Sequence, residues 1–542
     1  MSTNQIQQKK PVDKVSVITS LLLLGILTAA TIISPVTTTD SLVTARTTST
    51  EILGFYFIIL VLGCLVFNIY LALSKYGSIK MSKEKPQYSK FSWIAMIFCA
   101  AMGTSILYWS AIEWVYYIQW PPLGLEALSD EAAEISVAYS FFHWGIPAWS
   151  VYAVGAIPLA YRYYVRQKND LSLQVACEGV LGDRVFGPLG RVINIIFIFG
   201  ILGGLTISYG TGIPMLANNL SNLFGVSESF VVYAILVLVI TVVFGSSTYI
   251  GLEKGMQKIS RGTTYLSLLL VGLFFILVCP FFILENIVQS LGIMTDNFVI
   301  MSTYLDPVRG GTFPQDWTCF YWAWWIGLAP WNWIFIAKIS RGRSIRSIIG
   351  MVIVAGSIGS FLFFGTISNY GLHSYLNKTL DIIGIMTASG ANQTISEIVL
   401  SLPAGLPILG LWFLTGFLLL VTTMDSASYT LAAASTRGLT AKDDPSKNLR
   451  LFWAIMLCIA PLCLLYAGQF IEGGVPLGGL QAMLILTAIP VSVTVIFAMI
   501  SCIKWLREDY GHKTRDEIAQ EYMDEALKEK IRKKREETGL DL

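Results

Sequence analysis

The feature that most restricts this chain is a series of apolar runs, each near bilayer length, repeated from one end to the other. A helix needs roughly twenty apolar residues to cross a hydrocarbon core. On that ruler the runs fall at 15–36, 53–74, 91–118, 136–162, 188–216, 229–249, 263–284, 317–340, 346–372, 403–433, 449–468 and 478–503. No water enters the bilayer core to satisfy backbone groups, so runs of this length must be helical. The expected fold class is an all-α integral membrane protein with about twelve transmembrane helices. Composition agrees: 54% of the 542 residues are hydrophobic and 13% are charged, against about 25% charged in an ordinary soluble domain.

Charge gives the orientation. One side collects Lys9, Lys10 and Lys14, then Lys75, Lys80, Lys83, Lys85 and Lys90, then Arg162, Arg166 and Lys168. The same side takes Lys254, Lys258 and Arg261, then Lys338, Arg341, Arg343 and Arg346, then Arg437, Lys442, Lys447 and Arg450. The opposite loops hold Arg46, Arg309 and Lys378. Positive loops stay cytoplasmic, so both termini are expected inside, in a multi-pass protein of the cell membrane. The opening segment 1–14 is polar, and the run behind it is too long for a signal peptide and stays in place as a span. Residues 285–316 read as an amphipathic helix along the membrane surface. The charged tail 504–542 pairs Glu525 with Lys528, and Glu529 with Arg532 and Lys533, at spacings that support a solvated helix. It is either a solubilising tail or a sensor that docks on anionic lipid or a neighbouring subunit.

Several function classes are disfavoured. A net charge of +2 leaves no footprint for nucleic acid. The eight cysteines are scattered without a CxxC pair, and the three histidines, His143, His373 and His512, are far apart. Neither a zinc site nor a disulfide framework follows. No nucleophile–base pair stands at an interpretable spacing, which argues against an enzyme.

Three kinds of residue are out of place inside the spans. Aromatic clusters come first: Trp144, Trp149 and Tyr152 surround Pro147 in span four, and span eight carries Trp317, Trp322, Trp324, Trp325, Trp331 and Trp333. Tryptophan usually belongs to the interfacial belt, but Trp324 and Trp325 lie a turn or two inside. A quaternary ammonium has no N–H to donate, so hydrogen bonds cannot recognise it. The negative faces of aromatic rings can, at roughly 0.5–2 kcal/mol per ring. No acidic residue is expected beside the rings of either cluster, which favours a zwitterion over a bare cation. Second, small residues around Gly103 in span three, and Thr422, Thr423, Ser426 and Ser428 in span ten, mark either close helix packing or two broken helices that bind an ion. Third come two carboxylates. Asp425 is expected to face a polar interior, and Glu113 lies nearer the outer end of span three.

At these residues the chain resembles the betaine/carnitine/choline transporter family over nearly its whole length. The carrying strings are MGTSILYWSAIEWVYY (102–117), FHWGIPAWSVY (142–152), FPQDWTCFYWAWW (313–325) and ISRGR (339–343). Within that family, the PP-x-G after span three and the H-W-G look most like carnitine/γ-butyrobetaine exchangers. The resemblance implies two extra helices (15–90), an inverted-repeat core built from 91–284 and 317–503, and a homotrimer. It implies a substrate box of Trp144, Trp149, Tyr152, Trp324 and Trp325, joined by Tyr116, Met102, Gly103 and Ser105 of span three. The third aromatic of the span-eight box is replaced by Leu328, with Trp331 further along as a substitute. The resemblance also implies sodium as the coupling ion, held near Cys99 and Met102 and by the hydroxyls of Thr422 and Thr423. Sodium-independent exchangers put an arginine in span seven where this chain has Thr263, with Arg261 two residues away. Choline carriers place an acid where Ser105 stands. The leading expectation is sodium-coupled secondary transport of carnitine, γ-butyrobetaine or glycine betaine. Ion-free exchange of betaines and a membrane ligand sensor are the alternatives.

Overall fold

The computed structural model of the chain describes residues 10–440, 443–471 and 477–522, which are helical apart from turns and two isolated bridges, Val12 to Thr436 and Lys80 to Ser344. Each apolar run coincides with a helix or a broken pair. In order these are Lys14–Ile33, Pro35–Leu73, Lys90–Met102 with Ser105–Gln119, Asp130–Trp144 with Ile146–Ala160, Pro188–Phe224 and Phe230–Ile250. Gln257–Leu277, Phe320–Ile339, Ile345–Leu376, Gly405–Ala434, Lys447–Ala467 and Leu477–Tyr510 complete the series.

By length and apolarity alone, nine of the described helices qualify as membrane spans, or ten with the bent pair of span three taken as one. The two runs that fall short of the expected twelve are spans four and eight. Span four is divided at Gly145 into two halves of 15 residues. Span eight carries indoles and a phenol that lower its apolarity. Both occupy the centre of the bundle, where every residue of Pro147–Ala160 and of Phe320–Ile339 is buried. A helix buried all round needs no amphipathic pattern. Spans one and two are peripheral by contrast, with Leu22, Ile26, Ile59 and Val66 exposed as a lipid-facing surface.

Local chemistry sets most helix starts. Ser89, Ser129, Ser229, Ser344 and Ser446 each accept a backbone N–H three residues on, which satisfies a donor that the first turn leaves free. Proline opens Pro35–Leu73, Pro188–Phe224 and Pro280–Asp296, where its missing N–H costs nothing. That last start corrects the surface helix, expected over 285–316: it begins at Pro280 and ends at Asp296, followed by the short turn Phe298–Met301. Span two likewise starts at Pro35, well before 53, because its threonine-rich N-terminal half stays helical. A further helix, Ile382–Leu400, lies in the connection between spans nine and ten and is kinked at Gly390.

The connections on the lysine- and arginine-rich side are tied by charge. Arg162 pairs with Glu178 at 2.6 Å, and Arg166 reaches Glu508 at 2.6 Å and Asp509 at 2.8 Å. The start of the tail docks on the connection between spans two and three. Lys75 Nζ donates to the carbonyls of Gly511 and Lys513, and Lys80 Nζ to that of Tyr522. The pairs expected at Glu525, Lys528, Glu529, Arg532 and Lys533 lie outside the described residues, as does Lys442.

Candidate functional site

Five of the aromatic residues expected to form the box come together. The Trp324 and Trp325 rings stack at 5.7 Å with 6° between planes. Trp144 meets them edge-on at 5.9 Å and 5.2 Å. Tyr152 stands edge-on to Trp325 at 5.5 Å and to Trp149 at 5.7 Å. The break in span four helps to fix this arrangement. Pro147 lacks the N–H that would bond the His143 carbonyl one turn back, and the Trp325 indole N–H takes that carbonyl instead at 3.0 Å. Gly356 lets Trp149 approach: a Cβ there would lie 2.2 Å from the indole ring. Trp149 donates to Ser360 Oγ at 3.3 Å. Among the described residues, the Trp324 and Trp331 indole N–H groups and the Tyr152 hydroxyl are buried without a hydrogen-bond partner. Buried donors are almost always paired, so the Trp324 and Tyr152 groups stand out beside the box. Leu328 leans toward Gly204 of span five, and no ring contact joins Trp331 to the box among the described residues.

The span-three residues separate into two places. Tyr116 does not join the five rings. It packs on Trp109, Trp120 and Trp317 at 6.3, 6.2 and 5.4 Å. With Arg46, these rings line a cavity of about 380 Å³ at the Gln119 end of span three, the side that the loop charges predict to be outer. From Trp317 the aromatic contacts run through Tyr321 at 6.2 Å to Trp324 at 5.6 Å, so the outer cavity and the box are linked by ring faces. Met102 and Gly103 stand instead at the break of span three, bent by 59°. Met102 Sδ lies 4.0 Å from Ser360 Oγ, beside Trp149. Ser105 opens the second half-helix and is buried.

That break also faces span ten. Gly103 has φ +55° and ψ −158°, a region that side chains other than hydrogen avoid, and a Cβ there would lie 2.8 Å from Thr423 Oγ1. The carbonyls of Cys99 to Met102 lose the partners that a continuous helix would supply. Thr422 and Thr423 both reach the Cys99 carbonyl, at 3.4 and 3.1 Å. Gly103→Ala is therefore expected to cost about 1–3 kcal/mol, read as a lower unfolding temperature of the detergent-solubilised protein. Span ten itself is one unbroken helix, which corrects the expectation of a second break there. Its hydroxyls bond back onto the helix, Thr422 and Thr423 to Leu419 O and Ser426 to Thr423 O, so nothing unwinds it. Asp425 is buried and accepts from Ser247. In span seven, Thr263 bonds its own helix at Ile259 O, while Arg261 is exposed.

One expectation is overturned at the box itself. Glu113 is fully buried and lies against the aromatic cluster, accepting the Trp144 indole N–H at 2.8 Å and the hydroxyls of Tyr117 and Tyr321. Thus an acidic residue does adjoin the box, brought there by the packing of span three on span four across 31 positions of sequence. The signal available beforehand was helical spacing: Tyr117 is one turn after Glu113, and Tyr321 one turn before Trp324 and Trp325.

Residues 15–511 match the betaine/carnitine/choline family of transporters. The chain is 37% identical to a carnitine transporter of Acinetobacter baumannii, over 85% of this chain and 82% of that one. It is 36% identical to the uncharacterized transporter YeaV of Escherichia coli, over 82% and 91%. It is 31% identical to the glycine betaine transporter OpuD of Bacillus subtilis, over 89% and 93%. With the match covering nearly all of its length and every apolar run, the chain belongs to the betaine/carnitine/choline transporter family, and it is a multi-pass membrane transporter rather than an enzyme.

Proposed function

We propose that the chain moves a zwitterionic trimethylammonium compound (carnitine, γ-butyrobetaine or glycine betaine) across the cell membrane, coupled to sodium. The observation that carries this reading is the set of five rings with unpaired donors beside it. The ring faces of Trp144, Trp149, Tyr152, Trp324 and Trp325 suit a cation that cannot donate a hydrogen bond. The free Trp324 N–H and Tyr152 O–H suit the carboxylate of the same molecule. The names carried by two relatives, carnitine transporter and glycine betaine transporter, agree with a substrate of this class. Sodium coupling is supported by the convergence of Thr422, Thr423 and the Cys99 carbonyl at the break of span three, hard oxygens of the kind a small cation takes. The architecture that goes with this reading is two inverted repeats, 91–284 and 317–503, after two extra helices, assembled as a homotrimer with both termini cytoplasmic.

The test is uptake of labelled carnitine and glycine betaine into proteoliposomes, with an inward sodium gradient or with potassium in its place. Accumulation that requires the sodium gradient supports the reading. Uptake that requires only unlabelled substrate inside, in either salt, would make the protein an ion-free exchanger.

A further inference from the structure

Glu113 ends a chain of hydrogen bonds that substrate binding and sodium coupling leave unexplained. Tyr117 Oη stands 2.8 Å from Glu113 Oε1 and 2.8 Å from His143 Nδ1, and His143 Nε2 stands 3.0 Å from Thr318 Oγ1. All four side chains are buried. Thr318 adjoins Trp317 in sequence, and Trp317 lines the outer cavity. The other titratable side chains facing this group are Tyr321, which donates to Glu113, and Tyr139, whose ring packs on Tyr117 and His143. Among the described residues no lysine or arginine forms an ion pair with Glu113.

Hydrogen counting gives this chain two complete states. Tyr117 has one hydroxyl hydrogen and two acceptors to serve. If that hydrogen goes to Glu113, His143 must donate from Nδ1 to Tyr117 and accept at Nε2 from Thr318. If Glu113 instead carries a hydrogen and donates it to Tyr117, then Tyr117 donates to His143 Nδ1, and His143 Nε2–H donates to Thr318. Every link is kept in both states, each with its direction reversed, and the second holds one proton more than the first. That proton enters from water in the outer cavity at Thr318 and leaves by the same route, with no other bond made or broken.

The countercharge decides when each state is populated. A buried carboxylate served only by neutral donors lacks a compensating cation. Two cations can supply one: a proton on Glu113, or the ammonium of a substrate held against Trp144, whose N–H is bonded to that carboxylate. We propose that Glu113 is a proton-binding site, filled and emptied through Tyr117, His143 and Thr318, and that its proton and the substrate's ammonium replace one another. The proposal rests on the reading of the five rings as an ammonium box. Its consequence is that substrate binding releases a proton to the outer side and tightens as pH rises.

The experiment uses the purified full chain in weakly buffered detergent solution, with carnitine and glycine betaine as probes. Calorimetry gives the dissociation constant from about pH 5 to about pH 9, and a pH-indicator dye reads protons released on ligand addition. Infrared difference spectra follow the C=O stretch of a protonated carboxylic acid with and without ligand. Expected are release approaching one proton per ligand at low pH, affinity rising by up to about tenfold per pH unit before a plateau, and loss of the carboxylic-acid band on ligand addition. Glu113→Gln should abolish all three, and the intact chain decides the matter alone if that variant does not fold. Binding that is independent of pH and releases no proton would overturn the proton site while leaving the box intact. Failure of both probes to bind at every pH would overturn the box, and a carboxylic-acid band absent at every pH in the ligand-free protein would separately exclude the proton on Glu113.

Discussion

Replacing Thr422 and Thr423 together by alanine is expected to abolish the stimulation of substrate binding by sodium while leaving binding in potassium unchanged. Both hydroxyls converge on the Cys99 carbonyl, the only point where span ten touches the freed carbonyls of span three through paired side-chain oxygens among the described residues. Spans three and ten belong to different halves of the chain, so an ion held between them favours the conformation in which the break and the helix are in contact. Linkage then requires sodium to raise substrate affinity by the same factor as substrate raises sodium affinity. The variant removes two oxygens and leaves the five rings untouched, because neither threonine contacts them. Its helix should also survive, since both hydroxyls bond back to Leu419 O and alanine is the better helix former. The measurement is the substrate dissociation constant in sodium and in potassium for the intact protein and the double variant. Equal constants in both salts for the intact protein would remove sodium from the mechanism.

How much of this could be read beforehand depended on whether a feature is carried by one helix or by the packing of several. Spans were legible because each apolar run states its own length. The break at Gly103 was one of two readings that its run of small residues allowed, and the gathering of aromatics in spans four and eight was legible, whereas the choice of five particular rings came from the family resemblance. Glu113 was misjudged for the opposite reason. Nothing within span three says that Trp144, 31 positions on, turns its N–H toward that carboxylate. Tyr116 illustrates the same limit at shorter range: it lies one turn after Ile112 and one turn before Trp120, and its helix face carries it to Trp120 and Trp317 in the outer cavity instead of the box. The supposed break in span ten failed on a local competition. Serine and threonine can unwind a helix or bond its preceding turn, and composition does not say which; here they bond the turn.

The box makes the sharper claim, and its two stacked indoles differ in a way that separates affinity from stability. Trp324→Leu is expected to weaken substrate binding about five- to thirtyfold, the equivalent of about 1–2 kcal/mol of lost ring–cation attraction. Its indole N–H has no protein partner, so leucine leaves no orphaned acceptor and the fold loses only the packing of the larger ring. Trp325→Leu should lose affinity to a similar degree, because its ring faces Trp324 and meets Trp144 and Tyr152. It should also destabilise the fold by about 1–3 kcal/mol, since the His143 carbonyl, already denied a helical partner by Pro147, would lose the Trp325 N–H as well. Phenylalanine at position 324 should restore most of the affinity, because a ring face is retained, whereas at position 325 it should restore affinity without restoring stability. Calorimetric dissociation constants and unfolding temperatures on the same preparations distinguish these outcomes. Unchanged dissociation constants in both leucine variants, with normal unfolding, would mean that the substrate's ammonium does not sit on these rings.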